Sequence, residues 1–306
     1  MSNGRLYGRR YRIYVGTDAG AALNVSDLRV AFEVTKAMNY APNQAKAIIY
    51  NLAPETQNTI ISSGNELIIE AGYEGEQYGV IFRGNIIRTW SQRSDGTEYT
   101  LGLLGLDGAN FLGYGMIAGS YAAGATPRQI VQDSATKLSV PTQLGQLPAQ
   151  MSDTKLPRGK VLFGRASEYY RQIAKGEGAM MYIDDGTVNL IKAEDIPPGE
   201  IVELTPASGL VGSPTQTQTG ISAKCLLNPR LKIGNLVKIN SQDINQAEGS
   251  FDSWQRPLAS NGQYRIIKLK HTGDTRGNAW YSEIEAISQA GFLPGMIGTG
   301  AAQPWY

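Results

Sequence analysis

The chain is short of the side chains that most enzymes depend on. It has one cysteine, Cys225, and so no intramolecular disulfide framework. It has one histidine, His271, which excludes any metal site that needs two. Charged residues make up 18% of its 306 residues, below the roughly 25% of an average soluble protein. With a formal net charge of +1, no global field draws it to nucleic acid or to an anionic membrane. Long hydrophobic runs are missing too. The most apolar windows, Met116–Ala125 and Ala290–Gly298, fall well short of the ~20 residues of a spanning helix and are broken by Gly or Pro. The first sixteen residues show no apolar h-region or cleavage site, so no secretory signal is expected. The expectation is a soluble protein that folds in a reducing cytoplasm.

What is abundant is glycine, with 36 residues, as suits many turns between short strands. The length fits about two domains of ~100–200 residues. Leu28–Gly108 carries the clearest pattern. Leu28, Val30, Phe32 and Val34 alternate with Arg29, Ala31, Glu33 and Thr35, the period of a half-buried strand. Strand candidates follow at Gln44–Leu52, Glu66–Tyr73, Gly79–Trp90 and Glu98–Leu106. Between the first two of these lies a helix, predicted over Pro54–Ser63, with Pro54 at its first position and Gly64 at its end. Ile60 and Ile61 of that helix are expected to cover one end of a small barrel. Upstream, Tyr11, Ile13 and Val15 alternate with Arg10, Arg12 and Tyr14. That makes the arginines the wet face of a first strand rather than a phosphate-binding arm.

From Gly108 to Gly124 the pattern collapses into Gly, Ala and Tyr, and a domain boundary is placed there. Thr126-Pro127-Arg128-Gln129 has the form of a capping box opening a helix, with Val131, Ala135 and Leu138 on one face. Val140–Pro157 reads as a loop. A second helix is expected at about Ala166–Ala174, packing through Tyr169, Tyr170 and Ile173. A hairpin, Ala179–Ile183 and Thr187–Lys192, turns at Asp184-Asp185-Gly186. The rest is β: Ile221–Leu227, a strand over Leu231–Asn240 with a break at Gly234-Asn235, then Tyr264–His271 and Asn278–Ile287, the last with Trp280, Ile284 and Ala286 on one face and Glu283 and Glu285 on the other, and with Ser213–Gly220 as a linker or exposed loop. The tail Gly291–Tyr306 has no period.

Constellations for chemistry are missing. There is no phosphate-binding Gly-Lys-Ser/Thr loop and no Gly-x-Ser-x-Gly elbow. Gly102, Gly105 and Gly108 lie in or just after a strand without a following pyrophosphate-binding helix, so they read as crowding or bend positions. His271 reads as a plain strand residue and Cys225 as a small core residue. A carboxylate pair of the kind glycosidases use is the hardest class to exclude. The visible ones, Asp184 with Asp185 and Glu74 with Glu76, sit in turns, and Glu194 with Asp195 precedes a Pro-Pro loop. No catalytic, cofactor-binding or metal residue is assigned, and no cofactor is expected.

Several phrases carry a resemblance: Ala45–Pro54 (AKAIIYNLAP), Ile68–Tyr73 (IIEAGY), Val80–Ile86 (VIFRGNI), Glu98–Gly108 (EYTLGLLGLDG), Leu226–Ile239 (LLNPRLKIGNLVKI) and Gly262–His271 (GQYRIIKLKH). Over about Tyr11–Ile287 the chain resembles the baseplate hub proteins of tailed bacteriophages, related to the N-terminal hub region of type VI secretion spike proteins. The resemblance implies a mainly β fold, with two tube-protein-like β-barrel domains and a small helix-hairpin α+β lobe inserted between them. The expected limits are 1–115 for the first barrel, 116–200 for the lobe, 201–290 for the second β-domain and 291–306 for a tail.

It further implies a non-enzymatic virion protein of the tail baseplate, assembled in the host cytoplasm. Its homotrimer would join a sixfold tail tube to a threefold central spike, so the implied partners are tube and spike proteins, with tape-measure and other baseplate proteins behind them. No nucleic-acid sequence recognition and no transmembrane segment are expected. Two other readings stay open from the residues: a tail-associated cell-wall hydrolase and a receptor- or carbohydrate-binding β-module. Trp305 and Tyr306 are the candidate partner-docking residues, because terminal aromatics in an aperiodic tail are costly to leave exposed.

Overall fold

The structure is a computed structural model that describes residues 7–17, 20, 22–75, 77–94, 98–140, 142–192, 195, 199–217, 220–245, 258–259 and 261–288. The expected docking residues Trp305 and Tyr306, with the rest of their tail, lie outside these, as do Glu76 and Glu194.

The N-terminal part is built from alternation. In β1 (Arg9–Thr17) Ile13 and Val15 are buried and Arg10 and Arg12 exposed. After the short β2 (Ala22–Asn24), β3 (Val30–Ala37) turns Val30, Phe32, Val34 and Lys36 inward, and β4 (Gln44–Tyr50) does so with Ala45, Ala47 and Ile49. Helix α1 (Pro54–Ser63) has the limits expected. It buries Ile60 completely but leaves Ile61 46% exposed. Successive helical side chains point about 100° apart, so a short helix resting on one stripe cannot bury both. The glycine that ends it, Gly64, has an ordinary extended backbone. A Cβ there would stand 2.5 Å from the Ile60 carbonyl oxygen, so its role is close approach rather than a left-handed cap. Strands β5 (Gly64–Tyr73), β6 (Tyr78–Ser94) and β7 (Glu98–Leu106) complete an antiparallel order β3-β4-β7-β6-β5-β1-β2. At Gly102 a Cβ would fall 2.1 Å from the Trp90 ring on the neighbouring strand. Glycine here makes room for the indole to lie across the sheet.

The lobe follows as α2 (Ala109–Tyr114), β8 (Met116–Tyr121), α3 (Pro127–Thr136), β9 (Gln143–Leu144), β10 (Lys160–Arg165), α4 (Ala166–Gly176), β11 (Ala179–Asp184) and β12 (Thr187–Lys192). The capping box at Thr126 and Gln129 forms as expected. The stretch expected to be a featureless boundary instead holds α2 and β8. Strand β8 pairs with β10, which falls just after the expected loop. Only Ile117 and Tyr121 of β8 and Leu162 of β10 are buried, too sparse a pattern to read. On α3 the buried face is Ile130, Val131 and Ser134.

The C-terminal part comprises β13 (Val202–Glu203), β14 (Leu210–Gln216), β15 (Ile221–Leu226), β16 (Leu236–Lys238), β17 (Gln263–Asp274) and β18 (Trp280–Ser288). Residues expected in a linker or exposed loop at 213–216 thus belong to β14, and of the strand expected over Leu231–Asn240 only the part after its break at Gly234-Asn235 forms, as β16. In β18 Trp280, Ile284 and Ala286 are buried and Glu283 is exposed, the expected faces.

Strand β17 organises the whole. One flank pairs along its length with β18; the other pairs first with β16 and then, over 268–274, with β3. The two β parts of the chain therefore form one sheet, whose main path is antiparallel in the order β14-β15-β18-β17-β3-β4-β7-β6-β5-β1-β2, with β13 joined in parallel to β16 beside it. Three cores lie against it: one N-terminal, one C-terminal and one in the lobe. They interlock. Trp280 is buried in the N-terminal core, edge-on to Tyr11 of β1 and Phe32 of β3, and its indole N–H donates to the Gly72 carbonyl. The lobe's hairpin is divided between two cores: Met180, Tyr182 and Ile191 enter the C-terminal one, while Met181, Ile183, Val188 and Leu190 enter the lobe's own. Strand alternation lets one hairpin serve both.

Candidate functional site

The densest polar arrangement lies where the lobe meets the main sheet. The hairpin turn puts Asp184 and Asp185 over Lys36 of β3, whose ammonium nitrogen stands 2.6 Å from Asp184 Oδ1 and 2.8 Å from Asp185 Oδ1. Asp107, just past β7, is fully buried and accepts from the Gly186 N–H at 2.6 Å. Asn43 ties these together: its amide donates to the Ile183 carbonyl at 2.7 Å, and its side-chain oxygen accepts from the Ala37 N–H at 3.0 Å. Asp185 holds a left-handed backbone, φ 50°, which aspartate tolerates in a tight turn.

Burial sets the electrostatics. It raises the Asp107 carboxyl to about 6, against the opposing pull of Lys36 and the Gly186 N–H. Asp184 is raised as well, by burial and by Asp185, with Lys36 opposing. For Lys36 burial lowers the pKa, but the two aspartates outweigh it and the ammonium ends above its ordinary value. The carboxylate oxygens of Asp107, Asp184 and Asp185 lie within 4.8 Å of one another, a spacing that oxygen-ligated cations use. Here the Lys36 ammonium already serves as the cation. The cluster is a clasp between lobe and sheet.

A second latch works from the C-terminal part. The buried Arg265 of β17 donates to the carbonyls of Gly234 and Asp195, and the Asp195 carboxylate receives the Lys192 N–H at 2.9 Å and the Ala149 N–H at 3.3 Å. Two clefts flank the clasp. One, about 120 Å³, is bordered by Arg83, Asn85 and Asp107; the other, about 260 Å³, by Gln146, Asn189 and Lys232. Both are smaller than the roughly 300–1,000 Å³ of ordinary small-molecule pockets.

Residues weighed for chemistry fall elsewhere. His271 lies inside β17, fully buried, with Nδ1 2.7 Å from Ser282 Oγ; burial, then Lys36, lowers it to about 3, so the ring is neutral. Cys225 is buried in the C-terminal core, and burial pushes its thiol up to about 12. Arg9 donates to the Gly277 and Asn278 carbonyls and lies over Trp280, and Arg10 lies over Tyr78. These arginines are built into the fold. In sequence the acidic half of the clasp reads only as a hairpin turn. The one available signal is Lys36, a charge at an inward position of β3.

A mainly β chain, with one large antiparallel sheet, a clasped helix-hairpin lobe and polar groups spent on holding parts together, has the make-up of a structural protein. The chain belongs to the baseplate hub gp41 family, whose profile matches residues 12–286. It is a phage tail protein of the baseplate-hub type. Among curated proteins no relative matches. Among solved structures, the prophage MuSo2 43 kDa tail protein from Shewanella oneidensis is similar with a TM-score of 0.57 at 9% identity, over 92% of this chain and 97% of that one. The tail protein from Neisseria meningitidis MC58 gives 0.56 at 11% identity, over 94% and 99%. The E. coli c3393 protein, a type VI secretion component described as structurally similar to T4 tail proteins gp27 and gp5, gives 0.53 at 11% identity, over 95% and 80%. At such identities these likenesses speak to the fold. Among the described residues no helix is long and apolar enough to cross a membrane.

Proposed function

We propose that the chain is a non-enzymatic hub subunit whose homotrimer joins a sixfold tail tube to a threefold central spike. Each chain contributes two tube-like β units, within 1–115 and 201–290, so that three chains present six. The lobe, 116–200, stands to one side and helps to form the seat of the spike. The observation that carries this reading is the pairing of β17 with β3, which fuses the β parts from the two ends of the chain into one sheet. Two units welded in that way act as one rigid third of a ring, and the family membership supports the setting.

Mass measurement of the purified protein at high concentration tests it, together with images of tail tips. A trimer and a threefold ring are expected. A monodisperse monomer that binds neither tube nor spike protein would refute the proposal. Trp305 and Tyr306 are proposed to anchor the C-terminal tail on a neighbouring subunit or partner. Deleting Gln303–Tyr306 should then impair assembly, and full assembly without them would remove that role.

A further inference from the structure

The two-stranded ribbon β8–β10 turns one face to the lobe core through Ile117, Tyr121 and Leu162. Its other face is bare. Phe163 is 75% exposed and Val161 73%, opposite Ala118 and Ser120, and Met116 and Tyr114 extend the patch. Among the described residues the strands pair only with each other. The outer edge of β10 is closed at its centre, where the Tyr169 hydroxyl receives the Phe163 N–H at 3.3 Å and donates to the Phe163 carbonyl at 3.0 Å. The outer edge of β8 is clipped only at Met116, by Ser139, and takes no further strand among the described residues.

The charges near this face in the chain are of one sign. Lys155, Arg158, Lys160 and Arg165 are all exposed, no carboxylate lies between Thr154 and Ser167, and none of the four makes an ion pair among the described residues. Four lysines of the main sheet, Lys224, Lys268, Lys270 and Lys238, are matched by Glu283, Glu285, Glu33 and Glu203. An apolar face with Arg165 on it, and with Lys155, Arg158 and Lys160 leading into its strand, fits an acidic surface.

Resting on the hub reading, we propose that this face docks an extended acidic segment of a different baseplate protein, which adds a strand along the open edge of β8 and reaches with its side chains across the small Ala118 and Ser120 to Phe163 and Val161. The open edge favours a strand over a lipid surface, because lipid tails leave backbone N–H and C=O groups unpaired. The matched charges of the main sheet argue against a second copy as occupant, since its sheet carboxylates are already engaged.

The experiment uses Phe163→p-benzoylphenylalanine in the full chain, made in cells that produce the whole tail. Recovery of the chain in purified tail particles tests the hub reading separately; its absence there sinks that reading. In recovered particles, irradiation should link position 163 to a net-negative peptide of another protein. The double variant K160E/R165E, with an unchanged melting temperature, should lower the yield about tenfold, as loss of two charge contacts at a rim implies. A link to a second copy or to lipid, no link at all, or a yield indifferent to the charge reversal overturns the proposal.

Discussion

Replacing Lys36 with methionine keeps the length and most of the volume of a side chain that is only 3% exposed, and takes away the one cation between Asp184 and Asp185. Removing one partner of a buried ion pair typically costs about 3–5 kcal/mol, because the remaining charge is left uncompensated. Asp184 and Asp185 keep 12% and 21% of their side-chain surface exposed, so water offsets part of the loss and the lower end, about 3 kcal/mol at pH 7, is expected. The pH dependence follows from linkage. Lys36 opposes the rise of both Asp107 and Asp184, so without the ammonium these two carboxyls move further up in the folded state, and Asp107 starts from about 6. A carboxyl whose folded pKa lies above its unfolded value favours the fold at low pH and loses that advantage as pH rises through the folded value. The deficit of Lys36→Met should therefore be largest at pH 7 and shrink toward pH 4. Urea unfolding followed by tryptophan fluorescence measures the whole effect, and amide exchange at Ile183–Gly186 reports the clasp itself. Adding Asp184→Asn should recover at least half of the loss. A deficit below about 1 kcal/mol, one that does not change between pH 4 and 7, or one that Asp184→Asn deepens would refute the description of the cluster as a charge clasp.

Gly102→Val should destabilise by about 1–3 kcal/mol, the usual cost of overpacking, since its Cβ would enter the Trp90 ring; pairing it with Trp90→Ala should relieve part of that in the same denaturation assay. Trp280→Ala should cost about 3–5 kcal/mol and should weaken protection of β1 and β3 amides along with those of β18, because the indole fills the N-terminal core from a C-terminal strand. Cys225 should resist a thiol reagent in the native protein at pH 8 and react on unfolding, its thiol being both buried and pushed up to about 12; rapid native labelling would contradict the burial.

Elements governed by neighbours in sequence are legible from the residues alone. The limits of α1 follow from Pro54 and from the crowding at Gly64, and the start of α3 from Thr126 and Gln129. The strands of Leu28–Gly108 follow from alternation, since each buries its own period against whatever lies beneath. The family phrases within them carry the baseplate-hub assignment. What alternation does not encode is the partner of each strand. The pairing of β17 with β3 joins opposite ends of the chain, and nothing in either strand names the other. The same limit hides β8 with β10, the strand in 213–216, and the place of Trp280 in a core far from it in sequence. Asp184 and Asp185 look like an ordinary wet turn, and an Asp-Asp-Gly turn forms equally well in water or over a lysine. Tertiary packing brings Lys36 and Asp107 to that turn. The sequence by itself determined the strands of Leu28–Gly108, the limits of α1, the start of α3 and the kind of protein; only the tertiary structure decided that the β parts form one sheet and that buried charge fastens the lobe to it, because strand pairing and desolvation depend on neighbours that chain order does not specify.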